Sequence, residues 1–121
     1  MIVGIGVDML HIPRLQALLS RRPTNPKLFA RRILSPAEQE EPWQNDPVSF
    51  LSSRWTVKEA CYKALYPSHR LNWKEVTLYK VNGKPQLRIE NAKKLGISRA
   101  HVSISHDGEY VIAQVVFEGN G

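Results

Sequence analysis

Residues 2–8 alternate: Val3, Ile5 and Val7 share one face, and Gly4, Gly6 and Asp8 the other. That is the period of a half-buried strand. The glycine face has no side chains at two positions, so a ligand or another backbone can approach it closely, and Asp8 ends the strand beside that bare surface. The plainer role for Asp8 is a strand-ending carboxylate that caps the next helix. Pro13 suits a helix first turn, and Ile12, Leu15, Leu18 and Leu19 form an apolar stripe that runs out by Pro23. Arg14 and Arg21 then face outward. Ser35-Pro36-Ala37-Glu38 fits a capping box, which predicts a short helix that stops before Pro42. From about Val48 to Tyr66 there is no Gly or Pro, and Leu51, Trp55, Tyr62 and Leu65 recur at helical spacing. This predicts the longest helix, with Glu59 and Lys63 four residues apart on one face and Arg54 and Lys58 on the adjoining one.

The second half changes period. Val76 to Val81 alternates, Asn82-Gly83 signals a tight turn, and Gln86 to Ile89 returns. A short helix is predicted near Asn91 to Leu95, ending at Gly96. Val102 to His106 alternates into Asp107-Gly108, a second hairpin signal, and Tyr110 to Phe117 follows. An N-terminal strand, several helices and then antiparallel strands predict an α+β fold in a single domain spanning residues 1–121. No internal repeat or linker interrupts it.

Charge and cysteine usage narrow the function. Lys and Arg number 17 against 11 Asp and Glu, a formal net charge of +6, so an anionic partner is expected. The single Cys61 excludes an internal disulfide and a cysteine-rich zinc site and suits a reducing compartment. Cytoplasm is the expected location, with a mitochondrial matrix as the alternative. No apolar run approaches the roughly 20 residues that span a bilayer, and no basic stretch precedes Ile2, so neither a membrane anchor nor a signal peptide is expected.

Several chemistries lack their residues. Ser103 and Ser105 have no G-x-S-x-G frame, and His11, His69, His101 and His106 show no metal spacing. Gly4-Ile5-Gly6 is not a dinucleotide turn, because Met9 stands where a third glycine belongs. Oxygen chemistry remains. Asp8 and Glu59, with Lys63, Lys58 and Arg54 near in sequence, can hold a hard cation and a phosphate together. The competing reading is a helical Glu59–Lys63 ion pair of a few tenths of a kcal/mol.

Five segments together resemble a known family: Gly4-Ile5-Gly6-Val7-Asp8; Phe29 to Glu38; Arg54-Trp55-Thr56-Val57-Lys58-Glu59-Ala60-Cys61-Tyr62-Lys63-Ala64; Asn82-Gly83-Lys84-Pro85; and Val102-Ser103-Ile104-Ser105-His106-Asp107. In order, spacing and total length the chain resembles the holo-acyl-carrier-protein synthases, small trimeric 4′-phosphopantetheinyl transferases. The resemblance implies Mg²⁺-dependent transfer of phosphopantetheine from coenzyme A to a serine of apo acyl carrier protein, in support of fatty acid synthesis. It implies Asp8 and Glu59 as metal ligands and Asp8, Glu59 and Lys63 as catalytic residues. Glu59, or a metal-bound water that it holds, would take the serine proton.

For coenzyme A the resemblance implies Arg54, Lys58, Lys63, Gly83, Lys84, Pro85 and His106. For the acidic carrier it implies docking by Arg14, with Arg21 and Arg22 in support, and for assembly a homotrimer with active sites between subunits. One segment departs from the family: the glycine-bearing stretch common after the long helix reads Leu65-Tyr66-Pro67-Ser68-His69-Arg70-Leu71 here. Two other functions compete. A small basic nucleic-acid-binding module would explain the charge but not Asp8 and Glu59, and the chain lacks an RRM-type motif or zinc module. A catalytically inactive trimeric scaffold would show no metal-dependent turnover.

Overall fold

A computed structural model of the chain describes residues 1–120. Strand β1 (Ile2–His11) leads into α1 (Ile12–Ser20), α2 (Asn25–Ile33), α3 (Pro36–Gln39) and the long α4 (Pro47–Leu65). Strands β2 (Val76–Val81), β3 (Lys84–Ile89), β4 (Arg99–Asp107) and β5 (Tyr110–Glu118) complete the α+β fold. An antiparallel sheet of order β1-β5-β4 and a separate β2-β3 hairpin flank α4. The hairpin turns on Asn82 and Gly83, at φ 51° and 78°, the left-handed pair that the Asn-Gly signal demands.

Helix α4 is the axis of the molecule. One cluster of buried side chains, including Val57, Cys61, Leu65, Leu78, Val115 and Phe117, joins it to the sheet and the hairpin. A second, including Leu15, Leu19, Ile33, Leu34, Trp43 and Leu51, joins it to α1 and α2. Cys61 behaves as a small buried hydrophobe, and burial pushes its thiol up to about 12. No helix among the described residues is long and apolar enough to cross a membrane.

The glycine face of β1 is the inward one. A Cβ on Gly4 would stand 1.9 Å from the Ala64 carbonyl oxygen, and one on Gly6 1.8 Å from that of Ala60. The close approach that the bare face allows is made by the backbone of α4. In register with the inward Gly6, Asp8 and Leu10 are Val115, Ala113 and Val111 of β5, so Asp8 is directed at α4 with only an alanine beside it. The opposite face leaves Ile5 56%, Val7 51% and Met9 61% exposed, beside the exposed Ile112.

Two elements differ from the hydrophobic pattern. Helix α2 is not predicted by it, since Pro23 and Pro26 read as breaks. Pro26 instead occupies the first turn, where its missing N–H costs no helical bond. The helix predicted at Asn91–Leu95 is a series of turns. Asn91 sits at φ 58°, a left-handed conformation from which a right-handed helix does not propagate.

Candidate active site

Strand β1 and helix α4 bring Asp8 and Glu59 to one pocket of about 210 Å³, with Trp55 and Arg14 also on its wall. Lys63, one turn beyond Glu59, donates to Asp8 Oδ1 at 2.9 Å and reaches the Val7 carbonyl at 3.3 Å. The lysine therefore turns from its helical neighbour Glu59 to the strand. Glu59 titrates above the usual carboxylate range: burial contributes most and the Asp8 charge next, opposed by the Trp55 indole and the Lys63 ammonium.

The donor set is the test of fit for a divalent cation. The donors are hard carboxylate oxygens from two elements whose separation is fixed by backbone packing. No cluster of three or more His, Cys, Asp or Glu suited to a metal exists among the described residues. A cation held here would keep two protein carboxylates and take its other ligands from water and substrate phosphates, the regime Mg²⁺ favours. The residues fit the ion.

A second, larger space of about 550 Å³ lies elsewhere on the chain, between the start of α4, the hairpin and β4, lined by residues including Arg54, Lys80, Gly83, Pro85, Glu41 and His106. Arg54 is buried, with its guanidinium 3.8 Å from the centre of the Phe50 ring. Its head donates to Ser53 Oγ at 3.1 Å and stands 3.9 Å from Glu41, while Nε has no partner among the described residues. Burial lowers its pKa and Glu41 opposes the shift. Arg54, with Nε unpartnered among the described residues, shares the groove wall with Lys80 and His106 and with the carboxylates of Glu41 and Asp46, so it has a donor that an anion can take. Lys84 is part of the hairpin but not of the groove wall.

The two spaces share no lining residue. Arg54 and Glu59 are five positions apart on α4, which turns their side chains about 140° from each other around the helix axis. A single chain thus holds the carboxylates and the anion groove on different sides. Arg21 and Arg22, just past α1, are exposed.

Lys58 requires a correction. The resemblance implies that it binds coenzyme A, but it is 2% exposed. Its ammonium lies 2.6 Å from Glu38 Oε1 and donates to the carbonyls of Ile33, Trp73 and Val76 at 2.7–2.8 Å. Burial lowers its pKa, and the Glu38 charge opposes this. Four acceptors exceed the three protons of an ammonium, so nothing remains for a phosphate. Lys58 is a structural cation. Its partner Glu38 is fully buried, closes the capping box with Ser35 and accepts from the Leu78 amide at 3.0 Å. The capping motif identifies Glu38 as a helix-start residue but carries no sign of this second bond. His11 pairs with Glu109 at 3.0 Å and packs on Tyr110 at the surface.

The sequence profile of the 4′-phosphopantetheinyl transferase superfamily matches residues 4–115. A holo-[acyl-carrier-protein] synthase of Anaeromyxobacter dehalogenans is 31% identical over 127 residues, covering 100% of this chain and 99% of that protein. The crystal structure of holo-[acyl-carrier-protein] synthase from Neisseria meningitidis superposes with TM-score 0.83 at 32% identity, covering 98% of this chain and 99% of that one. The Helicobacter pylori holo-[acyl-carrier-protein] synthase, crystallised in complex with coenzyme A, superposes with TM-score 0.79 at 28% identity over 94% of this chain and 99% of that one.

Proposed function

Because the chain belongs to the 4′-phosphopantetheinyl transferase superfamily, we propose that it is a holo-acyl-carrier-protein synthase, moving phosphopantetheine from coenzyme A to a serine of apo acyl carrier protein. The serine oxygen attacks the pantetheine-bearing phosphorus. The bond to the adenosine 5′-phosphate breaks, and adenosine 3′,5′-bisphosphate leaves. Asp8 and Glu59 would hold Mg²⁺, and the ion would supply positive charge against the pyrophosphate.

The chain's own residues supply the rest. Lys63, half-exposed and on Asp8, moves its ammonium to the transferring phosphate, where positive charge stabilises the transition state. Glu59, on the wall of the same pocket as Asp8, or a water that it holds, accepts the proton of the serine hydroxyl. Arg54 and His106, with the Gly83–Pro85 turn, receive the nucleotide and its 3′-phosphate. Arg14 stands on the wall of the carboxylate pocket, so an acidic carrier that docks on it, with Arg21 and Arg22 behind, delivers its serine at the reacting centre.

The observation that carries this reading is the separation of the two half-sites. One coenzyme A must meet the carboxylates and the anion groove together, and these face different ways on one chain. A homotrimer in which the carboxylates of one subunit face the groove of the next completes the site, and the exposed Ile5, Val7 and Met9 supply apolar surface for it to bury. The test mixes two inactive variants, Asp8→Ala and Arg54→Ala. Dissociated and reassembled together, they form some interfaces with both half-sites intact, so turnover reappears when apo carrier, coenzyme A and Mg²⁺ are followed by intact mass. Mixtures as inactive as their components would place the whole site within one chain.

A further inference from the structure

Of the three basic side chains on the wall of the larger groove, only Arg54 has a carboxylate partner among the described residues, Glu41 at 3.9 Å. We propose that Glu41 is an internal substitute for the ligand's anion: it balances Arg54 in the empty groove, swings into solvent when the 3′-phosphate of coenzyme A arrives, and returns as the spent nucleotide leaves. The inference rests on the transferase reading, which brings the 3′-phosphate to Arg54, and adds to it a residue that sets how tightly substrate and product are held.

The backbone at Glu41 is fixed while its side chain is not. The Glu41 amide donates to the Glu38 carbonyl at 3.1 Å, and the Glu41 carbonyl accepts from the amide of Trp43 at 2.8 Å, whose side chain is buried in the core. The Glu41 side chain itself is 42% exposed, and its 3.9 Å separation from Arg54 is too long for a hydrogen bond. A loose pair of this kind is held by charge alone and breaks at little cost. The neighbouring carboxylates have other bonds to keep. Asp46 Oδ1 accepts from the Ser49 amide at 3.2 Å at the start of α4, and Glu38, whose charge also acts on Arg54, is fully buried and bound to Lys58 and the Leu78 amide.

Arg54 supplies the reason for a partner. Its guanidinium is buried over Phe50 and stays charged, so an empty groove needs an anion of its own. Glu41 meets that need in part. A phosphate at Arg54 meets it better, with up to two charges and several acceptor oxygens, but two anions beside one guanidinium repel each other. The carboxylate therefore gives way, and the ligand loses in affinity what the broken pair was worth. Only a ligand that brings an anion to Arg54 suffers that loss. When adenosine 3′,5′-bisphosphate dissociates, the returning carboxylate takes its place, which shortens the residence of the product.

Coenzyme A and 3′-dephospho-coenzyme A differ only in the group assigned to Arg54. Calorimetric titrations of both, with Mg²⁺, would use the full protein and two variants: Glu41→Gln, which removes the charge and keeps the shape, and Glu41→Ala, which removes both. Each variant is expected to bind coenzyme A about three- to fivefold more tightly than the wild type, the equivalent of a partly exposed ion pair, and adenosine 3′,5′-bisphosphate should inhibit turnover at correspondingly lower concentration. Affinity for the dephospho ligand should stay the same, a selectivity that a general loosening of the loop would not produce. Unchanged or weaker coenzyme A binding, or equal gains for both ligands, overturn the inference. If the wild type modifies apo carrier with coenzyme A while the variants show no such selectivity, only the role of Glu41 falls. If the wild type binds neither ligand and transfers nothing, the transferase reading falls and this inference with it.

Discussion

Replacing Gly6 by alanine tests how strand and helix hold the site. The new Cβ would lie 1.8 Å from the Ala60 carbonyl oxygen, 2.8 Å from its carbon and 3.0 Å from the Ala64 nitrogen. Contact without repulsion needs about 3.5 Å, so β1 and α4 must part by more than 1.5 Å along this line. A gap of even 1 Å forfeits up to about half of each dispersion contact it opens. Overpacking of this kind costs about 3 kcal/mol or more. For a chain of this size that lowers Tm by roughly 10 °C or more. Turnover should fall further than stability, because Asp8 lies two residues along the displaced strand and its 2.9 Å bond to Lys63 cannot survive the shift.

Urea unfolding and transfer assays on the same preparation measure both effects. Two companions isolate the cause. Gly108→Ala, at φ 56° with nothing within 4 Å of the added atom, should cost only about 1–2 kcal/mol of backbone strain and spare the site. Ala60→Gly should not rescue Gly6→Ala, since the obstruction is a main-chain carbonyl. A Gly6→Ala protein within 0.5 kcal/mol of wild type and fully active would refute the packing argument.

Lys58→Met should destabilise the fold by about 3–5 kcal/mol by stranding the Glu38 carboxylate and three carbonyls. A loss below 1 kcal/mol in urea unfolding, with coenzyme A binding weakened instead, would return Lys58 to the substrate site. Lys63→Met should lose turnover yet bind Mn²⁺ about two- to five-fold more tightly without substrate, because the cation no longer displaces a partly exposed ion pair worth up to about 1 kcal/mol; unchanged or weaker Mn²⁺ binding by paramagnetic resonance argues against a shared Asp8. The raised pKa of Glu59 means that, without divalent cations, the folded state keeps this proton to higher pH than the unfolded chain. Stability therefore falls as pH rises from the ordinary value of 4.5 through the raised one. Glu59→Gln should flatten that part of the profile, and an identical slope in denaturation midpoints against pH would count against it.

Local chemistry made much of this fold legible before any coordinates. Asn82-Gly83 carries its turn in two residues, the Asp107-Gly108 signal marks the second hairpin one residue early, since Asp107 pairs with Tyr110 and the turn is Gly108-Glu109, and the uninterrupted run before Tyr66 leaves little but a helix. Of the residues that the motif order singles out, Asp8 and Glu59 meet in one pocket. What escaped depends on contacts with no local signature. Lys58 looks like any surface lysine, because three of its four acceptors are backbone carbonyls and the fourth, Glu38, is 20 residues away. Alternation alone leaves open what meets the glycine face of β1. The answer, a helix backbone with the Val and Ile side chains facing out, follows from a tertiary approach that no pattern along the strand encodes.

The Lys58 ammonium also governs how the molecule can come apart. Its acceptors sit at the end of α2, in α3 and at the entry to β2, segments that otherwise touch only in part. Opening any one of them while α4 stays packed would leave a charge in the interior without its full set of partners, so partly open states are penalised in proportion to how much of the clamp they break. These segments are thereby coupled into one cooperative unit. The Leu78 amide, held by Glu38, and the Leu34 amide, which closes α2 on Ala30 at 2.9 Å, should exchange with solvent through a common opening event, while the termini fray independently.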